Sequence, residues 1–176
     1  MIAASTDELL TYLADLIETA ERFGATVLPP DDADDVAWEQ VGKDLVLDLA
    51  TRLPAPRRSR NVDLVLRERW SPRMQGTQGA QGAQGAWGAW VLGEYGYELH
   101  HHELDYRRAL HRHDVEYFVR THDVATHEHC EATMGHVACG HYSGEPVNGA
   151  IDGFRRLYNV WLSNAKPDCS QLHCLE

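Results

Sequence analysis

Val91-Leu-Gly-Glu-Tyr-Gly-Tyr-Glu-Leu99 decides the fold class of this 176-residue chain. Apolar or aromatic residues recur there close to every second position, with glycine or glutamate between them. That is the period of a β-strand with one buried and one polar face, because successive side chains point to opposite sides of the sheet. Tyr106 to His113, Glu116 to His122 and Val124 to Glu131 share the enrichment in aromatic and β-branched residues, and Gly135 to Gly140 adds a short fifth strand. Downstream, Ile151, Phe154, Leu157, Tyr158, Trp161 and Leu162 recur at helical spacing, giving a stripe suited to covering one side of that sheet.

Toward the N-terminus the pattern is helical. Ser5-Thr-Asp-Glu8 has capping-box spacing and leads into Leu9, Leu10, Leu13, Leu16, Ile17, Ala20 and Phe23, with Gly24 as a stop. Trp38, Val41, Leu45, Leu49 and Leu53 follow an acidic entry at Asp31 to Asp35, and their spacing predicts a second helix. Helices, then strands, then a helix imply an α+β fold: two N-terminal helices, an antiparallel β-meander of four to five strands, and a C-terminal helix packed on the sheet. The chain divides into an acidic helical segment at 1–53, a basic loop and strand at 54–74 and a Gln-Gly-Ala low-complexity linker at 75–89. The histidine-rich meander plus helix at 90–165 and a cysteine-containing tail at 166–176 complete it.

Sixteen basic and 27 acidic residues give a net charge of −11, unevenly spread. Residues 1–51 carry −10, residues 52–73 carry +5 with seven arginines, and residues 74–176 carry −6. Broad binding to nucleic acid or acidic membranes is disfavoured by that balance. RNA remains a partner only through a local basic patch, while a protein partner is expected through the acidic N-terminal helices or the Arg-rich 52–73 segment. No stretch reaches the ~18 uninterrupted apolar residues of a membrane span, and no basic region precedes an apolar core, so a cytoplasmic location is expected. There the four cysteines are expected to be reduced, with Cys130 beside His129 the best-placed nucleophile.

Ten of the eleven histidines lie between His100 and His141. His100/His102, His111/His113 and His127/His129 share His-x-His spacing, and Cys139-x-His141 repeats it with a thiol. On strands, i and i+2 project to one side, so neighbouring strands can gather these imidazoles on one sheet face. Clustered imidazoles serve divalent-metal binding or acid–base catalysis near neutral pH. The metal reading takes ligands from His111, His113, His127, His129, Cys139 and His141, with zinc or another divalent transition metal as cofactor and Glu128 or Glu131 positioning water. The metal-free reading has His111 and His127 exchange protons while Arg120 holds a phosphate. Across the two readings the catalytic candidates are His111, Arg120, His127 and Glu131. No zinc-finger spacing, His-Glu-x-x-His, phosphate loop or dinucleotide fingerprint is present.

Tyr106-Arg-Arg-Ala-Leu-His-Arg-His-Asp114, Phe118-Val-Arg120 and Thr126-His-Glu-His129 resemble the TumE-like toxin components of bacterial toxin–antitoxin systems. The resemblance spans residues 95–162 and departs at Arg120-Thr-His-Asp123, where that family has Asp-Asn after the arginine. It implies a small α+β toxin acting on RNA, with Arg120, Asp123, His127 and His129 as the residues of interest. The expected function is therefore metal-assisted or histidine-based hydrolysis of a phosphodiester in a pocket on the sheet. The alternative is a non-enzymatic protein-binding module with structural or incidental zinc.

Overall fold

The computed structural model describes residues 3–28, 37–54, 62–73, 89–103, 105–112, 126–131, 139–141 and 147–162. Among them are a single antiparallel sheet and two helices, one between the first two strands and one after the last. Helix α1 is Thr6–Arg22 and helix α2 is Ala150–Leu162. The strands are β1 (Ala3–Ala4), β2 (Thr26–Leu28), β3 (Ala37–Val41), β4 (Asp44–Leu53), β5 (Val62–Pro72), β6 (Trp90–His101), β7 (Tyr106–Arg112), β8 (Thr126–Glu131) and β9 (Cys139–His141). Across the sheet the order is β2-β4-β5-β6-β7-β8-β9. Strand β3 shares an edge of β4 with β2, and β1 pairs with β6.

This corrects the expectation of two N-terminal helices and of a meander of four to five strands. The residues expected to form the second helix make the β3–β4 hairpin, in which Val41 pairs with Asp44 around Gly42 and Lys43. Gly42 has φ +64, and a glycine first in a two-residue turn matches the twist of the flanking strands. The spacing from Leu45 to Leu49 to Leu53 satisfies a helix, but a separation of four is also two strand periods. Leu47 and Thr51 fill the intervening even steps, and Leu47, Leu49, Thr51 and Leu53 are all buried. The helix pattern saw every second member of a strand face.

The N-terminal capping box forms: the Glu8 amide donates to Ser5 Oγ at 3.2 Å and the Ser5 amide to Glu8 Oε2 at 2.6 Å. Both helices lie against one face of the sheet, where Phe23 meets Phe154 and Tyr158 at ring-centroid distances of 5.7 and 4.4 Å. Beneath them lie Leu64, Leu66 and Trp70 from β5 and Leu92, Tyr95, Tyr97 and Leu99 from β6, all buried. The buried positions of β6 change parity between Leu92 and Tyr95. Trp70 pairs with Leu92 and Arg69 with Glu94, so Gly93 is the extra residue of a bulge. That one-residue slip puts Glu94, Gly96, Glu98 and His100 on the other, polar face.

Glu68 interrupts the apolar run of β5 at the centre of this core and is fully buried. Tyr12 donates to its Oε1 at 2.7 Å, Tyr97 at 2.6 Å and the Ala150 amide at 2.8 Å, while Trp70 Nε1 donates to Oε2 at 2.9 Å. One carboxyl thus ties α1, β5, β6 and the first turn of α2 together, and the α2 amide it accepts would otherwise lack an intrahelical partner. Burial pushes the Glu68 carboxyl above its ordinary range, against the opposing pull of the Tyr97, Tyr12, Trp70 and Ala150 hydrogen bonds. Among the described residues no helix is long and apolar enough to cross a membrane.

Candidate functional site

The strand registers build the polar face row by row. Asp48, Arg67, Gly96, His111 and His127 stand side by side across β4 to β8. Two residues along, Val65, Glu98, Ala109 and His129 form the next row, and beyond it Asp63, His100, Arg107 and Glu131 form a third. β7 and β8 are neighbours, which brings His111 and His127 directly opposite each other. Their rings meet edge to face with centroids 5.6 Å apart.

Glu98 organises this group. Its two oxygens accept from Arg107 Nε at 3.0 Å and NH2 at 2.7 Å, a bidentate pair. His100 Nε2 lies 2.8 Å from one oxygen and His111 Nε2 3.2 Å from the other. Burial alone would raise this carboxyl, but the His100, His111 and Arg107 hydrogen bonds override it and hold Glu98 well below the usual carboxylate range. The consequence is a tautomer assignment. An ionised carboxylate only accepts, so His111 Nε2 carries the hydrogen in this contact. Arg107 extends the network by donating to Glu131 Oε1 at 2.6 Å. A parallel arrangement lies at the end of the sheet, where Asp63 accepts from Arg52 at 2.8 Å and lies 3.1 Å from His102 Nε2. Arg52 and His102 hold Asp63 below its ordinary range although burial opposes them.

The sign of the Glu98 shift gives a pH dependence. A carboxyl whose folded pKa is depressed contributes stability above its unfolded value, and that contribution is lost as pH falls through the folded pKa. Wild type is expected to melt higher than Glu98→Gln at neutral pH. The difference should hold down to about pH 4.5, the ordinary glutamate value, and narrow below it. Melting curves of both proteins across that range check this; a gap that widens in acid would contradict it.

Of the expected catalytic residues, the register joins His111 and His127 but not Glu131. Glu131 is four residues beyond His127, about 13 Å along the strand, and is committed to Arg107. The carboxylate that meets His111 is Glu98, which carries no motif; its signal was its place in the alternation with Tyr97 and Leu99. Arg120 and His113 lie outside the described residues, as do Asp123, the Glu116 to His122 strand, the Gln-Gly-Ala repeat and the Cys169–Cys174 tail. The expected metal set divides by parity. His111, His127 and His129 share one set of register positions, whereas Cys139 and His141 sit opposite Cys130 and Glu128 in the other. Glu128 pairs with Arg108. Among the described residues no group of three or more His, Cys, Asp or Glu side chains is arranged to hold a metal ion. Cys130 is disulfide-bonded and buried, which replaces the expected reduced thiol and removes it as a nucleophile.

Beside the imidazole pair is a cavity of about 740 Å³ whose lining includes Arg67, Arg69, Glu94, Gly96, Glu98, His111 and Arg112. Its floor includes Val46 and Val65. Of the seven arginines between residues 52 and 73, four are described, and three of these are matched by acids: Arg52 by Asp63, Arg67 by Asp48, and Arg69 by Asp44 and Glu94, while Arg73 is exposed. Cross-strand pairing neutralises those three. The arrangement offers two apposed imidazoles: His111, held by a carboxylate, lines a groove of mixed charge, and His127 is buried against it. The chain matches no family model, no curated protein and no solved structure with which it was compared.

Proposed function

We propose that the chain is a histidine-dependent phosphodiesterase of the toxin-like kind, cleaving RNA by acid–base catalysis at His111 and His127. The observation that carries this reading is the cross-strand apposition of the two rings with Glu98 on one of them. A carboxylate that fixes the tautomer of an imidazole leaves its other nitrogen directed at proton abstraction. In this scheme His111 Nδ1 takes the proton of a ribose 2′-hydroxyl as its oxygen attacks phosphorus. His127, entering protonated, gives its proton to the departing 5′-oxygen. The new P–O bond closes a 2′,3′-cyclic phosphate, the old P–O bond breaks to a 5′-hydroxyl, and the two histidines exchange protonation states.

The test is cleavage of a fluorogenic single-stranded RNA in the presence of a chelator. His111→Gln and His127→Gln should each lower kcat about a hundredfold while leaving the fold intact, and wild type should show a bell-shaped pH profile. Absence of cleavage by wild type, or losses below about threefold, would remove the hydrolytic reading. A second reading, a protein-binding module, is favoured by the paired charges of the polar face, which suit recognition by exchange of ion pairs.

A further inference from the structure

We infer that the gap over Gly96 is a phosphate seat for single-stranded nucleic acid, with Arg67 as the side chain that holds the anion. The inference rests on the hydrolytic reading above, because it places the scissile phosphate beside the same imidazoles. In the row Asp48, Arg67, Gly96, His111, His127, every position but one carries an ionisable side chain. The exception stands between the guanidinium-bearing residue and the imidazole pair. Neighbouring strands lie about 4.8 Å apart, so Arg67 and His111 are separated by about 10 Å of backbone with only a glycine between.

Gly96 is not there for its backbone. Positive φ is found at Gly24, Gly42 and Gly149, and Gly96 is not among them. A glycine inside a strand lacks packing and is costly unless something approaches closely. Part of the space is taken by His111, since a Cβ at Gly96 would come within 3.3 Å of its Cδ2. That allows the imidazole to lean back toward Glu98. The rest belongs to the cavity, whose lining includes Arg67, Gly96 and His111 together.

Arg67 is the cation able to change partners. Arg107 is 29% exposed and clamped between Glu98 and Glu131, the latter 7% exposed. Arg69 is shared between Asp44 and Glu94. Arg67 pairs with Asp48, and their side chains are 66% and 40% exposed. An exposed ion pair of this kind contributes little, so a phosphate can take over the guanidinium at little cost. Val46 and Val65 beside it offer an apolar floor for a base. With Arg67 as its exchangeable cation and a net charge of −11, the seat suits a short single strand and not a duplex.

The probe is a fluorescein-labelled 2′-O-methyl hexaribonucleotide, which has no 2′-hydroxyl to attack, followed by anisotropy with the full chain. Wild type should bind; Arg67→Ala should weaken binding about tenfold and flatten the salt dependence by about 0.7 in log K against log salt, one phosphate contact. Asp48→Ala should bind as tightly as wild type or tighter. No binding by wild type, or an Arg67→Ala variant with unchanged affinity and salt slope, overturns the seat. Failure of the two readings is separable. Arg67-dependent binding without cleavage of ordinary RNA keeps the seat and removes the hydrolase. Cleavage whose KM is indifferent to Arg67→Ala keeps the hydrolase and removes the seat.

Discussion

Replacing Glu68 by alanine should destabilise the protein by about 3–5 kcal/mol, because each buried donor left without a partner costs about 1–3 kcal/mol. Three are at stake: the hydroxyls of Tyr12 and Tyr97 and the Trp70 indole, while the Ala150 amide keeps the Tyr12 oxygen as a second acceptor. Alanine does remove the expense of burying a carboxyl, which is why that group is pushed upward. The orphaned donors outweigh it, and a cavity adds to the loss. For a chain of this length the melting temperature should fall by about 6–20 °C. Glu68→Gln keeps the shape but turns an NH2 group toward a donor, so a loss of about 1–2 kcal/mol is expected. The pH sign is opposite to that of Glu98. With its folded pKa raised, Glu68 stabilises fully below the ordinary value of 4.5 and less as pH rises through the folded pKa. The advantage of wild type over Glu68→Gln should therefore be widest in acid. Urea melts of the three proteins at two pH values decide the matter, and an alanine variant within 1 kcal/mol (about 2–4 °C) of wild type would contradict the hub.

Gly153→Ala is the second large effect, expected at about 3 kcal/mol of destabilisation. In an exposed helix the same change gains about 1 kcal/mol. Here a Cβ would lie 2.3, 2.7 and 2.8 Å from Cδ2, Cγ and Cε2 of Tyr97. The ring has no room to yield. Its hydroxyl is held by Glu68 at 2.6 Å, and its face stacks on Tyr95 with centroids 4.7 Å apart. Overpacking of about 1–3 kcal/mol is thus joined by displacement of a hub ligand. Thermal melts should show the loss, and it should shrink in a Tyr97→Ala background, where the obstructing ring is gone. A raised melting temperature in the single variant would show that α2 shifts freely.

What could be read from the chain follows from which residues carry unambiguous periods. Tyr95, Tyr97 and Leu99 announce a strand, and Ser5 to Glu8 announces a helix start, because neither pattern has a rival. Leu45, Leu49 and Leu53 fit two periods at once, and the Gly42-Lys43 turn, which settles the choice, is two residues in a long apolar run. The imidazole pair was legible because His111 and His127 each belong to a His-x-His repeat on adjacent strands. Glu98 and Arg107 were not, since their role arises from register between strands, which no local pattern encodes. Glu68 left a trace that is easily passed over: a charged residue at the buried parity of Leu64, Leu66 and Trp70.

The same buried carboxyl governs when folding can finish. The Ala150 amide that Glu68 accepts lies 82 residues further along the chain, and the Tyr12 hydroxyl that also meets this amide lies 138 residues before it. At synthesis rates of about 5–20 residues per second, the strand bearing Glu68 waits roughly 4–16 s for that partner to be made. During this interval the carboxyl has no settled place in the interior, and the sheet is held open to solvent on the side the last helix will cover. Closure of this face is deferred until α2 is made, so that α1, β5 and α2 are joined in one late cooperative step.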